Sequence, residues 1–175
     1  MPRQSPPTPA VIFILICIFL DALGVGLIVP VLPYLIGTLT DSGREQALWF
    51  GALLTAFGLT QLFFLPLLGA LSDRIGRRPV LLGGILGLGI MFLVPAVSAN
   101  LWALLISRIA GGMLSANFSV AQAYIADIIP RNKRAAYFGK IAATFGAAFT
   151  LGPAVGGFLA QADIRLPFIV ACVLC

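Results

Sequence analysis

Two ionisable residues stand inside apolar stretches where charge is costly: Asp21, in the run that begins at Ala10, and Arg108, in the run that begins at Leu101. A carboxylate in the middle of an apolar helix is tolerated when it is protonated, paired or facing water, which makes it a candidate for holding a proton. At about 1.5 Å of rise per residue, Asp21 lies roughly 16 Å from one end of its helix and Arg108 about 10 Å from the opposite end of its own. In a hydrocarbon core about 30 Å thick both are then near mid-depth. The expectation is that they pair or share a wet cavity; the plainer alternative is that Asp21 only ties helices together. Arg108, Gly112, Ser115, Ser119 and Gln122 follow steps of four, three, four and three, one stripe of a continuous helix. Gln61, Ser115, Asn117, Ser119 and Gln122 are the expected polar lining of a cavity, the alternative for the small ones being helix-packing contacts.

Charge gathers again from Gly69 to Leu82, GALSDRIGRRPVLL, between two segments long enough to cross a bilayer. The stretch must lie in water or among headgroups, and its length fits a tight turn between antiparallel helices. Asp73 can pair with Arg77, Gly69 would let a neighbouring helix approach, Gly76 permits a left-handed turn, and Pro79 is preset for the first turn of a helix. The alternative is a solvated loop whose arginines only fix topology. Further on, Gly139, Ala143, Gly146, Thr150, Pro153 and Gly157 make a stripe of small residues, with Pro153 expected to bend its helix.

The elements that must position these groups are membrane helices. The chain has 175 residues, 60% hydrophobic and 10% charged, with mean hydropathy +1.06, which excludes a soluble globular domain. The reading is an all-α, polytopic transmembrane helical bundle. A disordered, proline-rich tail at 1–9 precedes helices at about 10–36, 47–71, 80–98, 101–129 and 137–160, and an incomplete sixth at 166–175. Inside segments carry Arg3, Arg74, Arg77, Arg78, Arg131, Lys133, Arg134 and Lys140, against Arg44 and Arg165 outside. That asymmetry puts the amino terminus in the cytoplasm. Net charge is +5, but the basic residues form no patch with interleaved aromatics, so nucleic acid is not an expected partner. The chain has no histidine, and Cys17, Cys172 and Cys175 lie in or end apolar runs, so neither a metal nor a disulfide framework is expected. No phosphate-binding lysine loop is present, and no cofactor or enzymatic activity is expected.

GALSDRIGRRPVLL resembles the signature loop between the second and third helices of the major facilitator superfamily, in the form found in its drug/proton antiporters. RIAGG from Arg108 resembles that family's fourth-helix motif proposed to take part in proton transfer. GAAFTLGPAVGG, with Gly146, Gly152, Pro153, Gly156 and Gly157, resembles its antiporter motif. DALGVGLIVPVLP from Asp21 to Pro33, and YIAD ending at Asp127, are similar to tetracycline/proton antiporters. The resemblance implies the amino-terminal half of a proton-coupled exporter of a small amphipathic drug or metabolite, in a bacterial inner membrane. Its partners would be the substrate, protons, the bilayer and a missing carboxy-terminal half. Asp21 would bind the proton and Arg108 tune it, while Gly69, Asp73, Arg74, Gly76, Arg77, Arg78 and Asp127 would form the conformational gate. One departure is Met91, which stands where tetracycline antiporters carry a third-helix acid, and so widens the expected substrate range. A symporter of the same superfamily and a truncated, non-transporting membrane protein are the other readings.

Overall fold

With no water in the bilayer core to satisfy backbone groups, apolar stretches of this length close their hydrogen bonds internally as helices. The computed structural model describes residues 8–175, and these form eight helices with no strand among them. They are α1 (Thr8–Ile28), α2 (Leu32–Gly37), α3 (Gly43–Ile75), α4 (Arg77–Val97), α5 (Leu101–Leu114), α6 (Asn117–Ile128), α7 (Arg131–Ala162) and α8 (Leu166–Leu174). Five units are long and apolar enough to cross a membrane: α1 with α2, α3, α4, α5 with α6, and α7. The chain is therefore an integral, multi-pass membrane protein. Of the tail expected at 1–9, residues 1–7 lie outside the described residues, and Thr8 already opens α1.

Three boundaries differ from those expected. The first helix, expected over 10–36 and bent near its outer end, is fully interrupted at Val29–Val31, where Pro30 and then Pro33 remove backbone donors. The charged stretch is hardly a loop: α3 runs to Ile75 and α4 starts at Arg77, so Gly76, at φ +100°, is the whole hinge. A side chain is strained at that φ, which is why glycine stands there. The helix expected over 101–129 is broken at Ser115–Ala116. Elsewhere the helices absorb expected loops. Ser42 caps α3 by accepting from the Glu45 amide at 3.2 Å, and Pro130 opens α7 one residue before Arg131.

α1 packs along α7, α3 along α5, and α4 against both α5 and α8. The buried core is split in two. One cluster gathers Leu27, Ile28, Leu35, Leu53, Leu88, Phe92 and Phe168. The other gathers Ile14, Ile18, Leu81, Val120, Ile125 and Ile141. On α1, Asp21 falls between Ile18 of the second cluster and Leu27 of the first, so it sits where the apolar core is interrupted.

Candidate functional site

Asp21 is 7% exposed, and its carboxylate accepts a hydrogen bond from the Asn117 side-chain amide at 2.9 Å. Asn117, 2% exposed, is the first residue of α6, just past the break in the fourth membrane unit. The break thus places an amide and the positive end of a helix beside the acid, both of which favour a negative charge. Gly84 on α4 makes the seat: a Cβ there would collide with the Asn117 carboxamide oxygen. A carboxylate held by a neutral donor can gain and lose a proton without leaving a cation stranded.

Asp21 also lines a cavity of about 530 Å³, with Gln61, Ser115, Ser119 and Gln122 as its other polar residues and Phe57, Phe118 and Phe145 among its apolar ones. Gln61 donates to the Ser115 carbonyl at 3.0 Å and to its hydroxyl at 3.1 Å, tying α3 to the broken unit. Of the expected cavity residues, Asn117 alone is not in the lining; it supports the acid from behind. The aromatic wall was not read from the sequence. Phe118 meets Phe145 edge-on at 5.3 Å between centroids, and Phe145 stacks on Phe149 at 5.8 Å.

The expected meeting of Asp21 and Arg108 is corrected. Arg108 is 9% exposed, lies outside the cavity lining, and among the described residues no carboxylate comes within ion-pair distance of it. Its guanidinium lies over the ring of Phe92 at 5.8 Å from the centroid. The physical reason is the helix break. The stripe from Arg108 to Gln122 assumes one continuous helix, but α5 ends at Leu114, so Ser115, Ser119 and Gln122 face the cavity while Arg108 does not. Gly112 turns to α3, where a Cβ would strike Thr60 Oγ1 and the Phe57 carbonyl.

The charged end of the bundle is organised around Arg77. Its guanidinium pairs with Asp73 at 2.5 Å and, through Nε, with Asp127 at 3.0 Å, so the start of α4 is tied to both α3 and α6. Arg77 also donates to the Ser72 hydroxyl at 2.5 Å, a contact the sequence reading missed. Arg78 does not join; it lies over Phe13 at 4.9 Å from the ring centroid. Arg74 and Gly69 do not join either, and among the described residues nothing lies within 4 Å of where a Cβ on Gly69 would stand. The glycines of α7 divide similarly. A Cβ on Gly152 would lie 2.6 Å from the Gly26 backbone and one on Gly156 would strike Leu27, whereas Gly146 and Gly157 face open space. Pro153 sits in the same contact, its Cδ 3.4 Å from where a Gly26 Cβ would be. Met91 is on α4 outside the cavity lining, 3.8 Å from a notional Gly111 Cβ. Among the described residues no group of three His, Cys, Asp or Glu could hold a metal ion.

The chain is similar to known proteins along most of its length. The family model described as Major Facilitator Superfamily matches residues 14–175. The chain is 44% identical over 165 residues to the tetracycline resistance protein, class C, of Escherichia coli, covering 94% of this chain and 41% of that protein. It is 37% identical over 156 residues to the quinolone resistance protein NorA of Staphylococcus aureus, covering 88% of this chain and 39% of that one. Among solved structures, the human organic anion transporter MFSD10 (TETRAN) matches with a TM-score of 0.80 at 28% identity, over 97% of this chain and 46% of that chain. The chain spans about two fifths of the length of the curated relatives it matches.

Proposed function

The chain belongs to the major facilitator superfamily, and from that premise we propose that the whole protein is a proton-coupled antiporter, similar to the tetracycline-resistance exporters. It moves a small amphipathic drug or metabolite outward in exchange for protons. The observation that carries this reading is a single buried acid on the wall of a polar and aromatic cavity. In the proposed cycle Asp21 takes a proton from outside and gives it up inside. While ionised, Asp21 accepts from the Asn117 amide; once protonated, it can donate to the Asn117 carbonyl oxygen instead, so the acid stays satisfied in both states. Gln61, Ser115, Ser119 and Gln122 contact the substrate's polar groups, and the phenylalanines take its flat apolar faces.

A second half, related to this one as in other transporters of its kind, would complete the cavity at mid-membrane. The Asp73–Arg77–Asp127 cluster acts as the latch of one access state, formed in that state and broken in the other. The charged end then faces the cytoplasm of a bacterial cell, with the amino terminus on the same side. Tetracycline is one candidate cargo among several, because Met91 offers no acid on α4.

The test uses the full-length protein in everted membrane vesicles. Wild type should accumulate a candidate drug against its gradient when a proton gradient is imposed. Asp21→Asn should insert normally and exchange drug for drug, but lose proton-driven accumulation. Proton-driven accumulation at the wild-type rate in Asp21→Asn would refute the reading.

A further inference from the structure

Arg108 is nine-tenths buried, without an ion-pair partner among the described residues, and does not touch Asp21, the other buried charge of the membrane spans. What it does touch is the face of Phe92, at 5.8 Å from guanidinium carbon to ring centroid. Phe92 is 2% exposed, and the edge of its ring packs on α1: its Cε2 lies 2.9 Å from where a Cβ on Gly24 would stand, one helical turn beyond Asp21. The ring is therefore held between the arginine and the helix that carries the acid. Gly24 leaves the ring its place, because a Cβ there would displace it.

We propose that Phe92 is a positioning residue of the proton site: its ring holds the Arg108 guanidinium off Asp21, so that the acid is left for a proton. This rests on the antiporter reading above. A guanidinium free to reach the carboxylate would form a buried ion pair, and a carboxylate so paired no longer takes up protons readily. The aromatic face offers the cation a competing seat in an apolar surrounding, where such contacts are strongest. Beside the acid, among the described residues, stand the Cys17 thiol one turn earlier on α1 and the Cys175 thiol, 3.9 Å from the Leu20 carbonyl, and the group that bonds it from α6 is the neutral Asn117 amide. Arg108 is thus the cation whose position decides whether the site stays open.

The experiment replaces Phe92 in the full-length protein with phenylalanines carrying one, two and three ring fluorines. Fluorine drains the ring face of electron density while leaving the shape nearly constant. The ratio of proton-driven export to drug-for-drug exchange should fall stepwise, to roughly a tenth for the trifluoro ring. The melting temperature in detergent should fall along the series with Arg108 present and stay level in Arg108→Gln. An export ratio that does not change along the series, or equal loss of stability in both backgrounds, would mean that Phe92 only fills space and would overturn the proposal. Asp21→Asn separates the two readings. If it keeps proton-driven export, the antiporter reading fails; if it loses export while the fluorine series is flat, only the role of Phe92 fails.

Discussion

The molecule treats its acids in two ways. At the charged end Asp73 and Asp127 share a permanent cation, Arg77, and both carboxylates are largely solvated. At mid-depth Asp21 is buried and has a neutral amide for company, while the nearest membrane cation of the sequence pattern is turned to an aromatic ring. The contrast follows from solvation. In water an ion pair is cheap to form and to break, which suits a contact that must come and go. In an apolar core a fixed cation would keep the carboxylate ionised, and removing either partner would leave an uncompensated charge. A neutral donor that can also accept satisfies the acid with or without its proton.

The largest expected effect breaks the mid-depth side of this comparison. Gly84→Ala places a methyl where the Asn117 carboxamide now sits, so it should unseat the amide and cut proton-driven export by more than Asn117→Ala does. Asn117→Ala removes one hydrogen bond to a charged group, worth about 1.5–3 kcal/mol, so a loss of export of roughly tenfold or more is expected in vesicle assays. Next is Arg77→Gln. It releases two carboxylates and the Ser72 hydroxyl at once, and should shift the balance of access states, read as altered labelling from either side of the membrane of a cysteine introduced on the cavity wall by Ser119→Cys. Asp127→Asn should do the same more weakly, within about 1 kcal/mol, because an exposed pair contributes little. The smallest effect is that of salt. Raising ionic strength to 1 M, where screening acts over about 3 Å, should loosen the Arg77 cluster and leave the Asp21–Asn117 bond alone.

Much of this was legible in the sequence because its signals are local. Hydropathy and loop charge locate five spans, Asp21 stands out as a charge inside an apolar run and Asp73 and Arg77 as a pair at a turn, while the tie to Asp127 was implied by the family resemblance. What was not legible depends on neighbours. The break at Ser115–Ala116 carries neither glycine nor proline, and the signals beside it, Gly111–Gly112, Ser115 and Asn117, fit helix packing in a membrane as well as they fit a helix end. Without the break, periodicity aligns Arg108 with the cavity serines, and depth counted along an axis says nothing of which way a side chain turns. Likewise, spacing marks both Gly146 and Gly152 as small, but only contact with Gly26 shows which of them lets two backbones meet.

The central claim is that Asp21 is the group that exchanges a proton against the substrate. Adding drug to purified, unbuffered full-length protein near neutral pH, with the released protons followed by a pH indicator, tests it most directly. Proton release should appear in wild type and in Asp127→Asn, and be absent from Asp21→Asn. Equal release from Asp21→Asn and wild type would contradict the account.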